Sequence, residues 1–204
     1  MEQHYKGGTL MALLQTDYAT PITRQALNER MTYATKVPLF FDASDFEVLS
    51  IVCDRLVAQD SHDRIVNIAY FIDQRLANHT CDGWRYNKMP SDEKTYLNGL
   101  KGIDETATLL FKASFIQLTI SQQSVVLQSL QKGDAEGEIW KEMPSKLFFE
   151  ELLVEATEIF YSYPLVQEEI GYVGMADAKG WTKIGLNERD DIEPVGFPIT
   201  KNIY

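Results

Sequence analysis

Apolar residues recur at three- and four-residue spacing along much of this chain. Phe46, Leu49, Cys53 and Leu56 form one such stripe, the spacing of a single helix face. Just before it, Ser44 and Glu47 have the layout of a capping box: the serine oxygen on the third amide, the glutamate reaching back. Ile65, Ala69, Ile72 and Leu76 give a second stripe, with Asp60 and Ser61 as its N-cap signal. Loop signals follow between His79 and Tyr86 and again at Met89, Pro90 and Ser91. Glu93 to Leu100 predicts a short helix ending at Gly102, and Ile103, Ala107, Leu110 and Phe111 continue as another stripe. Thr119 and Gln122 form a second capping box. The helix after it carries Val125, Val126 and Leu130 and closes at Gly133. Pro144 suits the first turn of the last long helix, which stops at Pro164. Phe148, Leu152, Ala156, Ile159, Phe160 and Tyr163 line one side of it. Glu151, Glu155 and Glu158 line the other, which reads as a solvated face.

No alternating run predicts a strand. Val37 to Phe41 is short and proline-bearing, so it reads as extended chain. The pattern therefore predicts an all-α fold, a helical bundle with long irregular N- and C-terminal arms. Residues 1–36 form the N-terminal arm, with one or two short helical turns and Pro21 as a break. Residues 37–186 form the helical domain, and 187–204 a C-terminal tail. From Gly171 onward glycines, prolines and aromatics lack a helical period, as in a segment that wraps over the bundle or over a partner.

Composition narrows the function classes. A chain of 204 residues is long enough for a substantial core, and 45% apolar with 24% charged residues is ordinary for a globular protein. The net charge of -11 argues against nucleic acid and against anionic membrane surfaces, which need a basic footprint, but not against a protein partner. No apolar run is long enough to insert across a bilayer. The first residues lack a signal-peptide layout, so the expectation is a cytoplasmic protein or one whose targeting segment is missing.

Candidate chemistry is sparse. Cys53 lies on an apolar stripe and reads as a buried thiol, whereas Cys81 lies in a turn-like segment; their pairing stays open. The histidines His4, His62 and His79 show neither four-residue pairing nor a Glu-x-x-His motif. GxSxG, GxGxxG, P-loop and HExxH patterns are absent. His62 follows an N-cap serine and reads as a surface residue, and His79 with Cys81 lacks a third ligand. Asp190, Asp191 and Glu193 read as a solvated acidic turn, because a calcium loop needs alternating oxygen ligands and a glycine. No catalytic, cofactor-binding or metal residue is assigned. What remains is a set of glycine-framed aromatics: Gly171, Tyr172 and Gly174, then Gly180 and Trp181. They read either as a lid on the chain's own core or as anchors for a partner.

Several segments fall in a recognisable order. They are Phe46 with Leu49, Phe71 to Asp73, Phe115 to Gly133, and Phe148 with Phe149 through to Pro164. Ile170 to Gly174, Gly180 with Trp181, and Ile184 with Gly185 follow them. From about residue 38 to 186 this order resembles the gluconate 2-dehydrogenase subunit 3 family, the small or gamma subunits of flavin-dependent sugar and sugar-acid dehydrogenases, glucoside 3-dehydrogenase among them. The resemblance implies a non-catalytic subunit. FAD is expected in a large partner of the glucose–methanol–choline (GMC) oxidoreductase type that passes electrons to a cytochrome or another acceptor. The small subunit is a folding chaperone and export companion in a periplasmic heterodimer. The family's twin-arginine signal is not found in the first thirty residues, where Arg24 and Arg30 stand apart. Tyr172 and Trp181, held by Gly171, Gly174 and Gly180, are the interface residues this reading selects. One alternative is a standalone helical scaffold that binds proteins without a flavoprotein partner. Another is an enzyme with a site about His79, Cys81 and Asp82.

Overall fold

The computed structural model describes residues 10–17, 19–31, 37–59, 62–80, 86–172, 183, 185–188 and 190. Its helices in chain order are α1 (Leu10–Leu13), α2 (Pro21–Met31), α3 (Ala43–Leu56), α4 (Ile68–Ala77) and α5 (Asp92–Phe111). After a 3-10 turn (Phe115–Gln117) come α6 (Ile120–Lys132), α7 (Ile139–Glu142), α8 (Ser145–Ser162) and α9 (Pro164–Ile170). Among the described residues there is no strand, so the fold is all-α, as the periodicity predicts. The chain divides into two compact units, residues 36–160 and residues 1–35 with 161–204.

In the unit of residues 36–160, α5 is the central element. It packs against α3, α6, α7 and the 3-10 turn, while α3 also packs on α4. Leu49, Val52 and Cys53 of α3, Ile72 and Leu76 of α4, and Tyr96, Leu100, Ile103 and Ala107 of α5 are buried. Phe115, Val126, Leu130, Phe148, Leu152 and Ala156 are buried as well. The Tyr96 ring meets Phe148 edge-on with centroids 6.2 Å apart, and Trp140 stacks obliquely on Phe148 at 5.8 Å.

Gly102 does not end a helix. α5 runs through it for 20 residues, because Gly99 and Gly102 are contact points rather than stops. A β-carbon at Gly99 would lie 2.2 Å from the Phe148 ring, and one at Gly102 would lie 2.4 Å from the Trp140 ring. Each glycine forgoes about 1 kcal/mol of helix propensity relative to alanine, and the aromatic occupies the space left.

Helix starts also shift from the sequence reading. Asp42, not Ser44, caps α3: its carboxylate accepts the Asp45 N–H at 2.8 Å, which starts the helix at Ala43. α4 begins at Ile68 under Asn67, leaving Ile65 in the preceding loop; Asp60 and Ser61 lie outside the described residues. That loop is pinned by buried Asp54, which accepts from Arg64 at 2.8 and 2.5 Å and from Gln59 at 3.0 Å. The capping box at Thr119 and Gln122 opens α6 and the left-handed Gly133 closes it, as predicted. The extended entry to this unit is held by Asp73 of α4. Its fully buried carboxylate accepts the N–H groups of Leu39, Phe40 and Phe41 at 2.7, 2.9 and 3.0 Å.

In the other unit, α9 packs against α1 and α2. Leu10, Leu14, Ala19 and Leu27 form a small core, with Met11 against it. The Met11 N–H donates to Glu168 at 2.8 Å, and the Arg24 guanidinium donates to the carbonyls of Thr16 and Ala19. At 11 residues α2 exceeds the short turns expected there, and Pro21 opens it rather than breaking the chain. Likewise Pro164 starts α9, because a proline at the first helical position gives up no needed donor and already has a helical φ.

Candidate functional site

The polar residues of α4, α5 and α8 meet in one cleft of about 260 Å³. Arg75, near the end of α4, presents a fork to Glu155 of α8, with Nε–O and Nη2–O distances of 2.6 and 2.9 Å. Its third donor reaches Asp92, the first residue of α5, at 2.7 Å. Beneath the fork the fully buried Tyr96 donates its hydroxyl to the same Glu155 carboxylate, and the guanidinium lies 5.7 Å from the Tyr96 ring centroid. Tyr86, Glu150, Glu151, Val154 and Glu158 complete the walls.

Electrostatics bind the members of this knot to one another. Burial works against the Arg75 charge, but hydrogen bonds and charge from Glu155, with a further bond from Asp92, outweigh it and hold the guanidinium above its ordinary range. Burial, then the Glu155 charge, pushes the Tyr96 hydroxyl well up, so it stays protonated. Glu155 is therefore not on a solvated face: it is the acceptor on which α4 and α5 converge. Periodicity placed it with Glu151 and Glu158 but gave no sign that an arginine 80 residues earlier would claim it.

The other candidates are scattered. Cys53 is buried as predicted, and burial, then the neighbouring Asp54 charge, pushes its thiol up out of the reactive range. His79 is exposed, and its Nδ1 lies 3.2 Å from Glu93; Cys81 and Asp82 lie outside the described residues. Among the described residues no group of three or more His, Cys, Asp or Glu is placed to hold a metal ion, and no helix is long and apolar enough to cross a membrane.

Of the predicted interface residues, Gly171 and Tyr172 are described, whereas Gly174, Gly180 and Trp181 are not. Gly171 ends α9 at φ +70, where a β-carbon would be strained, and the Tyr172 N–H donates back to the Gln167 carbonyl at 2.8 Å. The Tyr172 ring that this turn presents is 47% exposed.

A second depression, of about 300 Å³, lies between α5 and α6. Thr106 and Leu110 form one wall, Val125, Gln128, Ser129 and Lys132 the other, and Asp134 and Glu136 the rim. Leu110 and Val125 belong to predicted core stripes, yet they are 46% and 48% exposed. The wall is firmly built. The buried Thr106 hydroxyl accepts from Trp140 Nε1 at 2.8 Å, and its one proton faces the carbonyls of Gly102 at 2.8 Å and Glu136 at 3.0 Å. The Glu105 carboxylate accepts the N–H groups of Glu138 and Ile139 at 3.0 and 3.3 Å. The misplaced stripe positions were the one sign of this groove in the sequence, legible only once the helix packing is known.

Neither a curated protein nor a solved structure matches this chain. One family profile does, over residues 43–186, well over half of the 204 residues, and the chain belongs to the family it describes, gluconate 2-dehydrogenase subunit 3.

Proposed function

We propose that this chain is the non-catalytic small subunit of a flavin-dependent dehydrogenase acting on a sugar, glycoside or sugar acid, and that it binds and stabilises the catalytic subunit during maturation. The observation that carries this reading is the family match over residues 43–186. The use of polar groups supports it: in the α4–α5–α8 cleft Arg75, Asp92, Glu155 and Tyr96 are committed to one another, which suits a scaffold. The half-exposed Tyr172 suits an anchor, since tyrosine is favoured at the centres of protein interfaces. The partner in this reading is a GMC-type subunit that carries FAD and hands electrons to a cytochrome or another acceptor. In this reading the mature complex works in the periplasm where a targeting segment accompanies it, and in the cytoplasm otherwise.

Co-expression of the host's dehydrogenase catalytic subunit with and without this chain tests the proposal. Soluble yield, bound flavin and dye-linked activity of the catalytic subunit should all rise when the chain is present. Equal yield, flavin content and activity without it would remove the stabilising role.

A further inference from the structure

We infer that the groove between α5 and α6 is the surface that receives the catalytic subunit, and that its occupant is a helix with aliphatic anchors at one end and a cationic side chain at the other. The inference rests on the small-subunit reading and adds the place of contact.

Three observations carry it. First, Leu110 and Val125 sit at positions where helical periodicity calls for burial, yet nearly half of each is in solvent. Leu109 of α5 and Ile120 of α6 are exposed apolar residues of the same two helices. Exposed apolar side chains facing one another across a groove mark interaction sites. Second, the groove is preorganised. Thr106 accepts the Trp140 indole N–H and shares its own proton between the Gly102 and Glu136 carbonyls, and Glu105 accepts the N–H groups that open α7, so the wall is braced before anything binds. A rigid receiving surface lowers the ordering cost of association. Third, the rim has a charge pattern that selects the occupant. Asp134 and Glu136 outnumber Lys132 there, and none of the three joins the ion pairs found among the described residues. A cation between the two carboxylates is therefore complementary. A second copy of this chain is not, because at a net charge of -11 two copies repel. A helix suits the shape: the α6 wall repeats at positions 125, 128, 129 and 132, a helical ridge into whose groove another helix packs.

The test uses the whole chain co-expressed with the catalytic subunit and captured through a tag on the latter. The wild-type chain should co-purify. Leu110→Glu and Val125→Glu should each lower the captured chain about ten-fold or more, as expected when a central apolar anchor is lost. Glu136→Lys should lower it less and flatten its dependence on salt. Circular dichroism and thermal melting of each variant alone check that it folds; if either glutamate variant fails that check, Glu136→Lys carries the test. Full capture of folded variants would overturn the groove assignment and leave the small-subunit reading standing. Failure of the wild-type chain to co-purify would remove both. A wild-type dimer in size-exclusion chromatography that Leu110→Glu dissociates would assign the groove to self-association instead, which also overturns the inference.

Discussion

The two depressions beside α5 solve opposite problems. In the cleft with α4 and α8, charges converge and satisfy one another: one arginine, two carboxylates and a tyrosine hydroxyl close a network across three helices. In the groove with α6, the bonds that matter lie behind the wall, and the wall itself shows leucine and valine to water. A surface whose polar groups are already paired gains little from a partner. A surface that is rigid underneath and apolar on top gains the most. The comparison separates residues that hold the fold from residues left available to others.

The largest expected break is on the cleft side. Glu155→Ala removes the acceptor for both Arg75 and Tyr96. Leaving Arg75 with Asp92 alone and stranding a buried hydroxyl should cost about 2–4 kcal/mol, toward the lower half because Asp92 remains and about a quarter of the Arg75 side chain is exposed. Urea unfolding measures this, and a loss below about 1 kcal/mol would mean that the network is not a brace.

Next come the glycines that admit an aromatic ring from each side. Gly99→Ala meets Phe148 and Gly102→Ala meets Trp140 at distances no β-carbon tolerates. Each should lower stability by about 1–3 kcal/mol through overpacking, despite alanine's better helix propensity. Gly102→Ala should also loosen the groove wall, visible as faster amide exchange at Glu138 and Ile139. If both substitutions stabilise the protein, the close packing is refuted.

Alkaline pH probes the buried neutral groups. Cys53 and Tyr96 are neutral when protonated, and burial favours that form, so their folded values lie above the ordinary 9.0 and 10.0. The stabilisation is complete below the ordinary values and drains as pH rises past them, by up to about 1.4 kcal/mol per pH unit and group. The unfolding midpoint should fall from about pH 9 upward. Tyr96→Phe should flatten the part of the slope above pH 10; an unchanged slope would mean that Tyr96 is not protected as described.

The smallest effect is expected at the groove. Leu110→Glu and Val125→Glu should change the stability of the isolated chain by less than about 0.5 kcal/mol, the usual range for surface positions. A large loss there would turn the groove into ordinary core and erase the contrast with the cleft.

The sequence carried the helices better than their junctions. Local signals with a local partner survived intact, as at Thr119, Gln122 and Gly133. Gly102 misled because the reason for that glycine is Trp140, 38 residues later, and no window of the sequence joins the two. Pro164 ends the long helix as expected, and the same proline is equally suited to start the next, which the sequence reading did not foresee. Ser44 lost to Asp42 because two good caps lay within a turn of each other. The site was less legible than the fold. Glu155 and Glu158 look alike on a helical wheel, and only the position of Arg75 tells a brace from a solvated acid.

Asp73 has a kinetic consequence. The amide protons of Leu39, Phe40 and Phe41 belong to no helix, and their acceptor is a side chain 32–34 residues further on. They are sheltered only while α4 stands, so their exchange with solvent follows the opening of α4 rather than the fraying of an extended segment. During synthesis the same three residues leave the ribosome well before Asp73 does. The entry to residues 36–160 is thus made before the group that closes it.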